Sequence, residues 1–137
     1  MDARPSPLHV MAGALIDGQG RVLLAQRPPG KHLAGAWEFP GGKLEPGESP
    51  LQGLARELRE ELGVAIDPST ATPLIRVPWQ YGERQLLLDA WCVTRWQGEP
   101  ASLEGQALRW AEPAGVDALS LAPADRVILQ ELLGLSH

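Results

Sequence analysis

The stretch from Ser49 to Gly63 constrains this chain more than any other, because it marks one helix at both ends. Ser49 is a natural N-cap, its hydroxyl able to accept from a first-turn N–H. Pro50 suits the first helical position, where no N–H is needed, and Gln52 completes a capping box. Gly63 supplies the left-handed residue that ends a helix. The spacing predicts a helix over Pro50–Leu62. At about 100° per residue, Leu51, Ala55, Leu58 and Leu62 form one apolar stripe, the face meant for the core.

The opposite side of that helix works against stability. Glu57, Glu60 and Glu61 stand at i, i+3 and i+4, so their carboxylates share a face and repel. They also lie near the helix C-terminus, where the macrodipole disfavours an anion by about 0.3–1 kcal/mol. One reading is a solvated acidic face partnered by Arg56 and Arg59. The other is a cation site. Gly41 and Gly42 precede the helix and let backbone and ion approach closely. Glu48 comes just before the N-cap. Carboxylates beside a free carbonyl make a hard-oxygen site suited to Mg²⁺, with Mn²⁺ as the alternative.

Charge bounds the partners. The 137 residues carry a net charge of −5 and no basic run. Such a balance repels a nucleic-acid polymer, and a phosphate substrate would need a bound cation to bridge it to an acidic site. The length fits one domain, read as a short tail over 1–8 and a single domain over 9–137. The apolar stretch Leu8–Ile16 is too short to span a bilayer. The single cysteine, Cys92, lies in an apolar run and reads as a buried structural thiol, which suits a reducing, cytoplasmic setting.

The remaining pattern alternates strands and helices. Val10–Ile16 reads as a strand, with Arg21–Gln26 as its hairpin partner across Asp17-Gly18-Gln19-Gly20. Leu74–Pro78, Gln85–Thr94 and Leu108–Ala111 are further strand candidates. Ala124–Leu133 reads as a second helix, with Val127, Ile128, Leu132 and Leu133 on one face. Strands interleaved with two helices imply a mixed α/β domain.

The segment Gly42–Val64, GKLEPGESPLQGLARELREELGV, resembles the Nudix box. Gly42, Glu48, Arg56, Glu57, Leu58, Glu60, Glu61, Gly63 and Val64 fill its specified positions. Trp37–Lys43, Trp96–Pro100, Glu104-Gly105-Gln106 and Ala122–Asp125 are similar, in order, to segments of the MutT-like branch of that family. The resemblance implies an α/β/α sandwich around a central mixed sheet. It also implies a metal-dependent enzyme that splits a nucleoside triphosphate into monophosphate and pyrophosphate, acting on oxidised nucleotides such as 8-oxo-dGTP. A pyrimidine nucleotide or a sugar nucleotide is the alternative substrate, and a nucleotide-sensing module without catalysis is the reading from another class. The resemblance leaves monomer or homodimer open.

By the same resemblance, Glu57, Glu60 and Glu61 are metal ligands, joined by the Gly41 carbonyl and Glu104. Glu57 is the first candidate for the base, with Glu48 or Glu104 behind it, and Arg56 orients the carboxylates. Arg27, His32 and Lys43 are candidates for substrate contact, against the plainer reading of exposed loop residues. Trp79 and Tyr81 flank a turn, and Arg84 follows it; an aromatic there either stacks on a base or packs on the core. Asp125 stands where the branch carries an asparagine that reads 8-oxoguanine. A carboxamide donates and accepts at once, whereas an ionised carboxylate only accepts, which suits an exocyclic amine. The alternative for Asp125 is a cap on the last helix.

Overall fold

The computed structural model describes residues 7–135. Strands β1 (Leu8–Leu15), β2 (Val22–Gln26), β3 (Trp37–Glu38) and β4 (Gly41–Lys43) precede the helix α1 (Pro50–Leu62). Then come β5 (Ala65–Ile66), β6 (Thr72–Tyr81), β7 (Arg84–Val93), β8 (Trp96–Gln97), β9 (Leu108–Ala111) and the helix α2 (Pro123–Gly134). The helix bounds read from Ser49, Pro50 and Gly63 hold, with the capping box formed and Gly63 left-handed at φ 73°.

Strand β1 lies at the centre. It runs parallel to β7 and antiparallel to β4, in a four-stranded mixed sheet of order β4-β1-β7-β6. A parallel pair needs a crossover, and the chain carrying α1 provides it. Successive residues of β1 point to opposite faces. Met11 and Leu15 pack with Leu54, Leu58 and Leu62 of α1. Ala12 and Ala14 pack with Ile128, Leu129 and Leu132 of α2. The sheet is thus covered on both sides, giving the α/β/α layering.

Several local expectations need correction. Arg21–Gln26 is not the ladder partner of β1, since β4 and β7 already occupy both its edges. The turn does form, with Asp17 accepting from the N–H groups of Gln19 and Arg21. Beyond an isolated bridge between Ile16 and Val22, the chain leaves the sheet. Strand β2 builds a second sheet instead, of order β3-β2-β9. Strand pairing starts at Leu8, one residue into the expected tail. On α1 the buried positions are Gly53, Leu54, Leu58 and Leu62, while Leu51 and Ala55 sit at the margin. Gly53 is buried because Leu44 packs against its bare Cα, where a Cβ would stand 2.1 Å from Leu44 Cδ2. On α2 the buried face is Ala124, Asp125, Ile128, Leu129 and Leu132, with Val127 and Leu133 beside it.

Candidate active site

Strand β4 brings the glycine pair against the helix. A Cβ on Gly41 would lie 1.9 Å from the Met11 carbonyl oxygen, and one on Gly42 would lie 2.5 Å from the Glu57 carboxyl carbon. Only glycine allows this approach. The bare Gly42 is therefore a notch that seats the Glu57 carboxylate.

Arg56 organises the acidic side chains. Its Nε donates to Glu48 Oε2 at 2.7 Å and its Nη2 to Glu48 Oε1 at 3.0 Å, a two-pronged pair. Nη1 reaches Glu57 Oε1 at 3.0 Å and Glu60 Oε2 at 3.2 Å, and Nη2 also donates to the Lys43 carbonyl at 3.0 Å. These carboxylates raise the guanidinium's pKa, its hydrogen bonds to Glu48 foremost. The fork also holds Glu48 below the usual carboxylate range. Glu48 thus anchors Arg56, with both its oxygens accepting hydrogen bonds. Glu60 points outward, its side chain 54% exposed.

The charges of Glu57, Glu61 and Glu104 act on one another, and the Arg56 contact relieves Glu57 only in part. Burial raises the Glu57 carboxyl, opposed by Arg56 and reinforced by the charges of Glu60 and Glu104. Burial also raises Glu61, to about 8, with the charges of Glu57, Glu104 and Glu38 adding to it and the Gly41 N–H opposing it. Among the described residues, no three such side chains are gathered closely enough to hold an ion as they stand. Part of the reason is that Arg56 draws Glu57 and Glu60 to itself. The donor set nonetheless fits a hard divalent cation: carboxylate oxygens that raise one another's pKa, set around a notch too narrow for a Cβ.

Glu61 and Glu104 edge a cleft of about 950 Å³, while Glu57 sits behind them against Gly42 and is absent from the cleft wall. Gly41, Gly42, Lys43, Glu61 and Glu104 line one part, and Arg27, His32, Glu38, Phe39 and Asp125 line another. Arg27 does not stand alone there: its Nε donates to Glu38 Oε2 at 2.9 Å and its Nη1 to the His32 carbonyl at 3.1 Å. Its fork therefore also braces the loop bearing His32. Lys43 and His32 are exposed at the rim.

Asp125 does not cap α2. Ala122 is the N-cap, and Asp125 Oδ1 accepts instead from the Phe39 N–H at 2.9 Å. Pro123 carries the signal for this, since proline favours the first helical position and so shifts Asp125 into the first turn. Asp125 is 8% exposed and lines the cleft. Burial pushes its carboxyl up to about 7, the Phe39 N–H opposing that, Glu38 adding to it and Arg27 opposing it.

Two further candidates lie off the cleft wall, and a third is described only in its backbone. Trp79 lies inside β6, packs against the α2-side core and does not line the cleft. Arg84 opens β7 as an exposed residue, and it too is absent from the cleft wall. The backbone of Tyr81 ends β6, paired with Arg84, while its side chain lies outside the described residues. The strands run longer than the sequence suggests, so these positions belong to the ladder rather than to a loop. Two residues not singled out earlier do belong to the site. Glu38 partners Arg27, and Gln106, 8% exposed, bonds to the Glu61 carbonyl and the Glu104 N–H. A polar residue between apolar neighbours in a glycine-bearing loop was the available signal for Gln106.

A mixed sheet between two helices, with an acidic helix end against a glycine notch beside a deep cleft, defines a Nudix-type hydrolase. The NUDIX domain model matches residues 11–131, and the chain belongs to that family. It is similar to the 8-oxo-dGTP diphosphatase of Escherichia coli (strain K12), 34% identical over 91% of this chain and 95% of that protein. It is also similar to the CTP pyrophosphohydrolase of the same organism, 41% identical over 91% of each. Among solved structures, the MutT NUDIX hydrolase from Burkholderia pseudomallei matches with a TM-score of 0.83 and 28% identity, covering 93% of this chain and 98% of that one. The solution structure of the E. coli ORF135 protein matches with a TM-score of 0.79 and 38% identity, covering 97% and 96%. The protein is a Nudix hydrolase, an enzyme of phosphoric anhydrides. Among the described residues, no helix is long and apolar enough to cross a membrane.

Proposed function

We propose that this Nudix hydrolase is a Mg²⁺-dependent nucleoside triphosphate pyrophosphohydrolase of the nucleotide pool, active on oxidised nucleotides such as 8-oxo-dGTP. The observation that carries the reading is a single cleft with a carboxylate cluster in one part and a buried, base-sized polar contact, Asp125, in another. A free nucleotide fits that cleft, while the net charge of −5 disfavours a nucleic-acid polymer. Cytoplasmic placement, as a monomer or homodimer, belongs to the same reading.

Glu57, Glu61, Glu104 and the Gly41 carbonyl would hold the cation, with Glu60 on the outer side. A cation held there would neutralise phosphate charge and make the attacking water more acidic. Catalysis of phosphoryl transfer is mostly positioning and electrostatics, and the side chains serve that end. Arg56 fixes Glu57 through Oε1, so Oε2 is the oxygen left to take the proton from the attacking water. The new P–O bond forms as the anhydride bond breaks, and pyrophosphate leaves with the nucleoside monophosphate as the other product. Burial makes Glu57 a better base than an exposed glutamate, because its conjugate acid is weaker. Lys43 and Arg27 meet the phosphates or the sugar from the rim. The intact carboxylates favour this over a sensing module, which has no use for a self-repelling cluster.

A second reading, a cytosine nucleotide as the main substrate, is favoured by Asp125. Ionised, Asp125 accepts from an exocyclic amine; protonated, it donates to a base carbonyl. The similarity to a CTP pyrophosphohydrolase supports the first state. The deciding experiment ranks turnover efficiency of the purified protein with Mg²⁺ on 8-oxo-dGTP, dGTP, dCTP and CTP, with pyrophosphate as the measured product. Preference for 8-oxo-dGTP over dGTP supports the first reading, and preference for the cytosine nucleotides supports the second. Turnover of none of them, with nucleotide binding retained, overturns both.

A further inference from the structure

Loop 101–106 is built onto the C-terminal end of α1. The Ala101 N–H donates to the Leu62 carbonyl at 3.0 Å and the Leu103 N–H to the Glu61 carbonyl at 3.1 Å. These carbonyls lie in the last turn of a helix, where intrahelical donors run out. Gln106 completes the junction from within. Its Nε2 donates to the Glu61 carbonyl at 3.2 Å, and its Oε1 accepts from the Glu104 N–H and from Ser102 Oγ, each at 3.0 Å. The two backbone bonds root the start of the loop, and among the described residues only Gln106 reaches the peptide of Glu104 itself. Glu104 is exposed, and Gly105 beyond it turns left-handed at φ 78°. Without that amide the Glu104 peptide is held by nothing but its flanks.

We propose that Gln106 is a positioning residue of the active site: its buried amide fixes the Glu104 peptide to the end of α1 and thereby sets the Glu104 carboxylate against Glu57 and Glu61. One amide serves both partners, so the loop glutamate and the helix glutamates keep a common frame. The proposal rests on the reading that Glu104 serves the cation site.

The test is a double-mutant cycle on the purified protein, read by Mn²⁺ affinity from the spin-resonance signal of free Mn²⁺, by melting temperature, and by kcat and KM separately. Gln106→Met keeps the volume and removes every hydrogen bond. It is expected to weaken Mn²⁺ binding about tenfold, the lower end for a residue that supports metal ligands. Glu104→Gln should weaken binding by a comparable factor. The double variant should bind no more weakly than the poorer single variant, because the amide acts through the carboxylate. The loss in turnover should fall on kcat more than on KM. Wild-type Mn²⁺ affinity in Gln106→Met, or losses that multiply in the double variant, would show a merely structural residue and overturn the proposal. If Glu104→Gln itself binds Mn²⁺ normally, the reading of Glu104 fails and the proposal falls with it. Should Gln106→Met not fold, Ser102→Ala decides, read beside the melting temperature: this hydroxyl donates to the Gln106 side-chain oxygen and to its backbone carbonyl. A smaller loss of Mn²⁺ affinity supports the proposal, and unchanged affinity overturns it.

Discussion

Glu57 is held between opposing influences. Burial raises its carboxyl, while Arg56 at 3.0 Å lowers it. A group balanced this way can take a proton during turnover and give it up afterwards. Glu57→Gln keeps the shape in the Gly42 notch and removes both the base and one cation ligand. The expected loss in kcat is about 10²–10⁴-fold, with the fold retained by circular dichroism. Near-wild-type kcat at saturating Mg²⁺ would remove Glu57 from the mechanism. Asp125 allows a different prediction, for stability. Its folded pKa of about 7 exceeds the ordinary aspartate value of 3.8, so the folded chain binds this proton more tightly than the unfolded one. The associated stabilisation is present below about pH 4 and is lost as pH rises through about 7. Asp125→Asn keeps an acceptor for the Phe39 N–H and removes the buried charge. Thermal melts should show the variant gaining over wild type at about pH 8, and gaining less or nothing at about pH 4. The same variant should gain selectivity for 8-oxo-dGTP over dGTP, since a carboxamide donates and accepts at once. Equal selectivity in the two proteins would remove Asp125 from base reading. The resemblance sets Asp125 where its branch carries an asparagine, but the sequence does not show that its partner is Phe39, 86 positions away.

Helix α1 was legible to the residue, because each of its signals is local. Ser49, Pro50, Gln52 and Gly63 act within a turn of the ends they define. Strand β9 was legible for a similar reason, as a short apolar run between breaks. The partners of β1 were not legible: which strand takes which edge depends on chain brought back from far along the sequence. Glu48 shows the same limit within the site. Its place in the motif is plain in the sequence, yet its engagement by Arg56 appears only when the loop before α1 folds over the helix. This division predicts two kinds of variant at the helix. Ser49→Ala removes a cap on an exposed terminus and should cost about 1 kcal/mol of stability, read from denaturant midpoints, with activity kept. Gly42→Ala would drive a Cβ to 2.5 Å from the Glu57 carboxyl carbon and displace the proposed base. Activity should collapse there by a larger factor than any change in stability explains. A fully active Gly42→Ala would show that the notch is not needed.

Across the molecule, a chain of net charge −5 concentrates several carboxylates at one end of one helix. Uncompensated, they work against the folded state. Divalent cation should therefore raise the melting temperature, by an amount equivalent to about 2.7 kcal/mol at a hundred times the dissociation constant. Glu60→Gln should cost the cation-free protein little, since its pair with Arg56 is 54% exposed on the glutamate side and such pairs contribute about 0–1 kcal/mol. A large loss without cation would make Glu60 a structural partner instead.

The parallel pairing of β1 with β7 also fixes a timetable for synthesis. His9 meets Asp89 across that ladder, 80 positions later in the chain. At about 5–20 residues per second, translation leaves β1 waiting roughly 4–16 s for its central neighbour. Meanwhile Met11 and Leu15 have no sheet to complete, and α1, already made, has only β1 and β4 beneath it. Closing so long a loop slows refolding too. The glutamates of α1 therefore leave the ribosome well before the sheet beneath them is complete.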